Sequence, residues 1–147
     1  IGKWQFSDYG FVEARYNVTD IVEGKHWIQD PKTGKRTHIT DHNRDSAIRF
    51  LRNRPENTPF FMGVAFYAPK ALGRDDHQYN PKPDTLARYV NKTVPQPPDT
   101  FNNTPYFFQN KRFEGRIWYL QRFGTPQLYQ RMMKEYYNSS IATIYRN

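Results

Sequence analysis

Cysteine is absent from the 147 residues of this sequence. Its absence excludes disulfide bonds, thiolate metal sites and a cysteine nucleophile within the chain. Long hydrophobic runs are also absent, because no stretch approaches the roughly eighteen consecutive apolar residues that a membrane-spanning helix needs. We therefore expect neither a reactive thiol nor a membrane span in this chain.

The chain does contain an excess of positive charge and many aromatic residues. The formal net charge is +8, and 17% of the residues are Phe, Trp or Tyr. A basic balance favours anionic partners such as nucleic acid, acidic polysaccharide, or sulfate and phosphate esters. The basic residues are dispersed, and a single Lys or Arg usually belongs to a solvated surface. Charge alone therefore does not choose among these partners.

The length is that of one domain or of a piece of one. The chain begins at Ile1, and its last helical pattern reaches Asn147 without a stop signal. We therefore expect residues 1–147 to be a single partial domain, cut from a longer protein that we call the parent protein.

Four Asn-x-Ser/Thr sites indicate a compartment for the parent protein. They begin at Asn17, Asn91, Asn102 and Asn138. Such sites are glycosylation acceptors in the secretory pathway. They predict a secreted, lysosomal or other secretory protein.

The first half of the chain has the pattern of a strand, a helix and a second strand. Residues 1–6 resemble the end of a strand, and a helix is predicted from about Asp41 to Asn53, with Thr40 or Asp41 as its cap. The run from Phe60 to Tyr67 is apolar without alternation, which predicts a strand buried on both faces of a parallel sheet. This order is typical of a crossover unit in an α/β fold. The helix is expected to turn one apolar face inward, formed by Ala47, Ile48 and Leu51.

The second half contains one convincing element, a helix from Pro126 to about Arg146 that is capped by Thr125. Its apolar stripe is expected to form core, with Asn138 facing the other way. Residues 71–110 are expected to be largely irregular. Within them, the proline-rich stretch 94–99 is typical of a rigid connecting loop. A short strand is expected at 25–29.

Two lysines follow the two predicted parallel strands. Lys3 lies in Gly2-Lys3-Trp4-Gln5, and Lys70 lies in Tyr67-Ala68-Pro69-Lys70. Ligands of open α/β sheets bind beyond the carboxyl ends of the strands. The two ammonium groups therefore predict a pocket for a compact anion.

The ordered set of these motifs resembles the formylglycine-dependent sulfatases over most of the chain, although residues 7–39 fit poorly. The matching pieces are Gly2-Lys3-Trp4, Thr40-Asp41 with Ala47-Ile48-Arg49-Phe50-Leu51, Pro59-Phe60-Phe61, Pro69-Lys70, Val94-Pro95-Gln96-Pro97-Pro98 and the segment from Arg122 to Tyr137.

The resemblance implies an alkaline-phosphatase-like α/β fold and hydrolysis of sulfate esters. In that family, a formylglycine made from Cys or Ser is the nucleophile, and Ca²⁺ held by Asp and Asn polarises the sulfate. The resemblance implies that Lys3 binds the sulfate and that Lys70 contacts it and helps the leaving oxygen depart. The partner would be a sulfated small molecule or a sulfated carbohydrate, and no nucleic acid is expected.

The chain departs from the family pattern in three respects. It lacks a Cys/Ser-x-Pro-x-Arg motif and the Asp-Asn metal pair, so formylglycine and the Ca²⁺ ligands are expected elsewhere in the parent protein. The isolated chain is then expected to be inactive. Gln5 stands where the family usually has His, and a Gln side chain hydrogen-bonds but does not transfer protons.

The remaining candidates belong to the substrate side of the site. Gln5 is assigned to substrate binding, and Arg74 and His77 are expected to line the substrate entrance because their loop follows Lys70. His38 and His42 are four residues apart, but the predicted cap between them argues against one helical face, so no metal site is assigned.

An alternative reading is a basic, non-catalytic module that binds acidic glycan or nucleic acid, and another is an inactive relative of the sulfatases. Nucleic-acid modules interleave aromatic and basic residues on exposed strands. Here the aromatic runs sit beside Pro and Leu in contexts typical of buried segments, which favours the sulfatase reading.

Overall fold

The computed structural model describes residues 1–4, 9–73, 76–96 and 106–144. The chain divides into two compact units, Ile1–Leu72 and Gly73–Asn147. The predictions for Gln5 and Arg74 lie outside the described residues.

In the first unit, the N-terminal segment lies between two parallel neighbours. Gly2 forms a parallel bridge with Ile21 on one side and with Ala65 on the other. The Gly2 amide donates to the Asp20 carbonyl at 2.8 Å, and the Lys3 amide donates to the Ala65 carbonyl at 3.0 Å. The segment around Gly2 thus lies between the segments around Ile21 and Ala65, and all three run in parallel. The parallel direction of the Gly2 and Ala65 segments is the one that the sequence predicts.

The regular sheet of the described residues is an antiparallel hairpin, and not the parallel sheet that we expected. Strand β1, Trp27–Gln29, pairs with β2, Arg36–His38, with Trp27 opposite His38. The turn between them is closed by Asp30, whose Oδ1 accepts hydrogen bonds from the amides of Lys32 and Thr33. The strand predicted at 25–29 is therefore present and short.

The expected burial of the segment from Phe60 to Tyr67 on both faces is wrong for this chain. Phe60 is 48% exposed, Phe61 77% and Phe66 42%, whereas Tyr67 is buried. A strand buried on both faces needs layers above and below it. The described residues give this segment a single bridged neighbour, the segment around Gly2.

Helix α2, Ile39–Asn53, begins two residues before the predicted start at about Asp41. Its cap is His38, whose Nδ1 accepts a hydrogen bond from the Thr40 amide at 3.3 Å, so the assignment of Thr40 or Asp41 as the cap is wrong. A preceding short helix, α1, spans Tyr9–Glu13 in a region where no element was predicted.

The buried face of α2 is not the one that apolar spacing predicted. Ile48 and Leu51 are exposed, and the buried residues are Ile39, Thr40, Asn43 and Ser46. The polar side chains of this face have specific partners. Asn43 Nδ2 donates to the Ala65 carbonyl at 3.3 Å, and Ser46 Oγ donates to the Asp20 carboxylate. Hydrogen bonding to the neighbouring parallel segments thus sets the orientation of α2.

The second unit is helical over the residues described. Helix α3 spans Pro83–Leu86, a 3₁₀ turn spans Tyr106–Gln109, α4 spans Glu114–Phe123 and α5 spans Pro126–Ile144. Helix α5 packs against α3 and α4. The Thr125 hydroxyl accepts a hydrogen bond from the Leu128 amide at 3.2 Å, which confirms Thr125 as the cap of α5. Helix α4 was not predicted.

The buried stripe of α5 contains Tyr129, Met132, Asn138 and Ser139. Asn138, which is 2% exposed, was expected on the solvent side, and that expectation is wrong. Its position on the buried side of a helix also makes it inaccessible as a glycosylation acceptor in the folded chain. Asn17 and Asn91, by contrast, are exposed.

The start of the proline-rich stretch is held against α5. The Val94 amide and carbonyl both pair with the Gln130 side chain, at 2.9 and 2.8 Å, and the Tyr129 hydroxyl donates to the Pro95 carbonyl at 2.9 Å. These contacts agree with a rigid connection. Residues 97–99 of the stretch lie outside the described residues.

Candidate functional site

Lys3 is positioned by its backbone and by an aromatic face. Its amide pairs with the Ala65 carbonyl, and its Nζ lies 5.1 Å from the centroid of the Tyr67 ring. The backbone at Gly24 closes against both groups. A Cβ at Gly24 would lie 2.7 Å from Tyr67 Cε2 and 3.0 Å from Lys3 Nζ. The ammonium group of Lys3 and the edge of the Tyr67 ring thus both lie close to Gly24.

Lys70 is held through its main chain, and its side chain is exposed. The Lys70 amide donates to the Tyr67 carbonyl at 2.8 Å, which closes a turn across the cis peptide bond between Ala68 and Pro69. His26 Nε2 donates to the Lys70 carbonyl at 2.9 Å. The backbone is therefore fixed while the ammonium group faces solvent.

Three buried rings connect these two positions, and we call His26, His38 and Tyr67 the ring cluster. The His26 ring centroid lies 5.2 Å from that of Tyr67 and 6.3 Å from that of His38. Because a carbonyl oxygen only accepts, His26 Nε2 must carry a hydrogen; because His38 Nδ1 accepts from an amide, that nitrogen carries none. Burial raises the pKa of Tyr67, so its hydroxyl stays neutral and donates to the Ala71 carbonyl at 3.1 Å.

The electrostatics of this region favour an anion. Among the residues that the structure describes, neither Lys3 nor Lys70 forms an ion pair with a carboxylate. A compact ammonium group that lacks a counter-charge is suited to binding a tetrahedral oxyanion as a point charge. Two such groups extend from segments that share the ring cluster.

The sequence-predicted site residues are only partly brought together. The segments of Lys3 and Lys70 meet at the ring cluster of the first unit. His77 lies in the second unit, where its Nδ1 pairs with Glu135 Oε1 at 2.9 Å and its side chain is 62% exposed. Gln5 and Arg74 are outside the described residues, so their assignments stay predictions.

Sequence reasoning missed His26 and Tyr67 as supports of the lysines. His26 lies just before β1 and Tyr67 ends the apolar run. Tyr67 stands in the tetrapeptide that carries Lys70, but nothing in that pattern links it to His26, which is 41 residues away in sequence. The available signal at His26 was a histidine within the short strand predicted at 25–29, which is too common to single out.

A second polar cluster joins Asp20 to α2. Ser46 Oγ donates to the Asp20 carboxylate, and His42 Nε2 lies 3.0 Å from it. Partial burial raises the pKa of Asp20, but hydrogen bonds from Ser46 and His42 and the charges of His42 and Arg49 outweigh that effect and hold the pKa below its usual 3.8. Because Ser46 donates to the carboxylate and not to the imidazole, this cluster lacks the nucleophile–base contact of a hydrolase triad.

The described residues offer no metal centre and no membrane-crossing helix. Within ranges 1–4, 9–73, 76–96 and 106–144, no three His, Asp or Glu side chains group in a way that could hold a metal ion. Over the same ranges, no helix combines the length and apolar character needed to cross a bilayer.

Comparison with known proteins gives one informative similarity. No family model and no solved structure matches the chain. An N-acetylglucosamine-6-O-sulfatase from Bacteroides thetaiotaomicron is 28% identical over 110 residues, which cover 70% of this chain and 19% of the relative. The chain thus spans about a fifth of the length of that curated relative. This similarity supports a relationship between the chain and the sulfatase family.

Proposed function

We propose that this chain is part of the catalytic domain of a sulfate ester hydrolase, in which Lys3 and Lys70 bind the sulfate group. The observation that carries the proposal is the parallel pairing of Gly2 with Ala65. Because the two segments are parallel, Lys3 and Lys70 both follow the bridge on its carboxyl-terminal side. Ligands of α/β sheets bind beyond the carboxyl ends of the strands. The similarity to a sulfatase supports the same reading.

The two lysines act as fixed cations. In sulfate ester cleavage, negative charge accumulates on the leaving oxygen, and preorganised positive groups stabilise that charge. Lys3, half-buried against Tyr67, is suited to hold the sulfate oxygens in one place. Lys70 has a fixed backbone and a free side chain, so it is suited to reach the leaving oxygen.

The proposed substrate is a sulfated carbohydrate, with N-acetylglucosamine 6-sulfate as the first compound to test, because the relative is named for action on that sugar. Gln5 would hydrogen-bond the substrate without transferring a proton. Formylglycine would supply the nucleophile and Ca²⁺ would polarise the sulfate, both from residues of the parent protein outside this chain. An alkaline-phosphatase-like fold and a secretory location belong to the same proposal.

The test is hydrolysis by the full-length parent protein. We expect Lys3→Ala and Lys70→Ala each to lower kcat/KM for N-acetylglucosamine 6-sulfate and for a chromogenic aryl sulfate by about 100-fold or more, because each removes a cation from the transition state. Lys35→Ala is the matched control, since Lys35 is an exposed lysine of the same unit, and it should retain the wild-type rate.

Near-normal rates in either lysine variant would remove that lysine from the site. A wild-type parent protein that hydrolyses no sulfate ester, yet binds an acidic glycan or nucleic acid in a salt-dependent manner, would favour the non-catalytic binding module.

A further inference from the structure

We propose that Tyr67 and His26 are positioning residues that set the separation of the two sulfate-binding lysines, Tyr67 through the Lys3 ammonium group and His26 through the Lys70 backbone. The inference rests on the proposed function and extends it to two residues that do not touch the substrate. It predicts that changes inside the ring cluster alter anion binding while the fold is kept.

The contact between Tyr67 and Lys3 fixes a charge that would otherwise be mobile. A lysine side chain has four rotatable bonds, and its ammonium group samples a wide volume unless something holds it. Here Nζ lies over the Tyr67 ring face at 5.1 Å, within the range of cation–π attraction. Gly24 borders both groups, because a Cβ there would overlap the edge of the Tyr67 ring at 2.7 Å and crowd Lys3 Nζ at 3.0 Å.

Tyr67 itself is held at both ends. Its hydroxyl donates to the Ala71 carbonyl, and its ring contacts that of His26. The residue is buried, so the ring face that Lys3 meets has one orientation. A fixed ring gives the ammonium group a fixed resting place.

His26 fixes Lys70 from the other direction. His26 is 1% exposed, and its Nε2–H donates to the Lys70 carbonyl. Its own carbonyl accepts a hydrogen bond from the Ile39 amide at 2.8 Å, at the start of α2. His26 therefore links the Lys70 turn to helix α2, through its imidazole on one side and its carbonyl on the other. The same helix contacts the Ala65 segment through Asn43.

The rings of His26 and Tyr67 contact each other, and we call this pair of residues the positioning device. Because the His26 and Tyr67 rings meet at 5.2 Å, a shift of either ring displaces the other. Catalysis by fixed charges is sensitive to such displacements, since misplacement by about 1 Å is able to cost about 100-fold in rate. The ring cluster thus couples the position of the Lys3 ammonium group to that of the Lys70 backbone.

The Lys3 side of the device is tested in the full-length parent protein with three variants. Tyr67→Leu removes the ring face, and Gly24→Ala pushes a methyl group against Lys3 Nζ and Tyr67 Cε2. We expect both to lower kcat/KM for the sulfate ester, and to raise the inhibition constant of inorganic sulfate, by about tenfold or more. Tyr67→Phe keeps the ring face but loses the hydrogen bond from the hydroxyl to the Ala71 carbonyl, so both quantities should lie between those of wild type and Tyr67→Leu.

The Lys70 side is tested by a rescue pair. His26→Leu removes the donor to the Lys70 carbonyl, whereas His26→Gln places an amide N–H near the position of Nε2. We expect His26→Leu to lower kcat about tenfold or more and His26→Gln to recover most of it. Ile39→Val, a buried change of the same unit, controls for general loss of stability and should keep wild-type kinetics. Circular dichroism checks the fold of each variant.

A measurement independent of turnover separates the two proposals. After reductive ¹³C-dimethylation, the Lys3 signal of the parent protein, assigned with Lys3→Arg, should be shifted upfield by the Tyr67 ring and should lose that shift in Tyr67→Leu. An active protein whose folded Tyr67→Leu, Gly24→Ala and His26→Leu variants keep wild-type kinetics would overturn this inference alone. If the Lys3 signal is shifted upfield but the parent protein has no sulfatase activity, Tyr67 does position Lys3, but the proposed function is overturned. The positioning of Lys3 would then have no role in sulfate ester hydrolysis.

Discussion

At the scale of single residues, the chemistry depends on contacts that join distant positions. Lys3 and Lys70 were predictable as site candidates because each follows an apolar segment that has the pattern of a strand. His26 and Tyr67 were not predictable, because their contacts with each other and with the two lysine segments form only when the start of β1 and the end of the apolar run come together. Asp20 is a similar case, since its partners lie on a helix more than twenty residues away.

Asp20 should make stability depend on pH at the acidic end. Its folded pKa lies below 3.8, so the carboxylate's contribution is fully present well above that pH and is lost as the pH falls through 3.8 toward the folded pKa. Asp20→Asn removes the titration and should cost about 1–2 kcal/mol at pH 6, because hydrogen bonds to a charged group are weakened. The difference from wild type should shrink at pH 3.5.

Urea unfolding at the two pH values measures this difference, and Glu56→Gln, at an exposed carboxyl of the same unit, is the control. An Asp20→Asn deficit that is equal at both pH values would show that the carboxylate of Asp20 is not the titrating group.

At the scale of elements, apolar periodicity predicted the helices α2 and α5 correctly, but it did not predict which of their residues are buried. Helices α2 and α5 are long and have clear apolar spacing, so their existence was predictable. The buried face of α2 was not, because its polar residues find hydrogen-bond partners that only the folded chain supplies. Helix α4 escaped prediction because none of its residues is buried, so burial imposes little apolar periodicity on it.

The cap of α2 gives a test at this scale. His38→Ala removes the side-chain acceptor of the Thr40 amide and should lower the free energy of unfolding by about 0.5–2 kcal/mol, as the loss of other helix caps does. His38→Asn supplies a preferred capping side chain and should recover part of the loss. Chemical denaturation of the three proteins measures this, and equal stability of the Ala and Asn variants would show that capping is not the role of His38.

The packing of α5 gives a second test, with two adjacent methionines as a matched pair. Met132 is 1% exposed, whereas Met133 is only partly buried. Met132→Ala should destabilise the chain by about 2–5 kcal/mol, because it leaves a cavity in the core, and Met133→Ala should cost less. A larger loss of stability at Met133 would show that the inward face of α5 is assigned incorrectly.

At the scale of the whole molecule, the notable feature is apolar surface that the chain does not cover. Phe60, Phe61 and Phe66 are exposed along one extended segment. The sequence predicted that this segment is buried, and the prediction failed. Apolar content shows that a segment is favoured to be buried, but it does not show whether the chain supplies neighbours that cover it. The alkaline-phosphatase-like fold was suggested by resemblance and stays a proposal, and the parallel bridges at Gly2 are compatible with it.

We expect the 147-residue chain to self-associate through this segment, because contiguous exposed apolar surface favours association. Phe61→Ser should lower the oligomer fraction measured by sedimentation velocity. Val90→Ser, which changes an exposed apolar residue of the other unit, should leave the fraction unchanged. Equal oligomer fractions in wild type and Phe61→Ser would place the association elsewhere.

The isolated chain should also show no turnover of a chromogenic sulfate ester, with or without Ca²⁺, since it contains neither cysteine nor a Ser-x-Pro-x-Arg stretch. The assay compares it with the parent protein under identical conditions. Hydrolysis by the purified chain would require a nucleophile among its own residues and would overturn the proposal that the reaction needs the rest of the parent protein.

Gly2 has a consequence for mutational tolerance. Its φ of +99° is one that side chains rarely adopt, and a Cβ would lie 1.9 Å from the Ala65 carbonyl oxygen. No repacking of neighbouring side chains relieves that overlap, because the obstacle is backbone. In a saturation library read out by sulfatase activity, codon 2 should therefore accept glycine alone, whereas codon 34, whose glycine has a Cβ position with no neighbour closer than 3.9 Å, should accept asparagine as well.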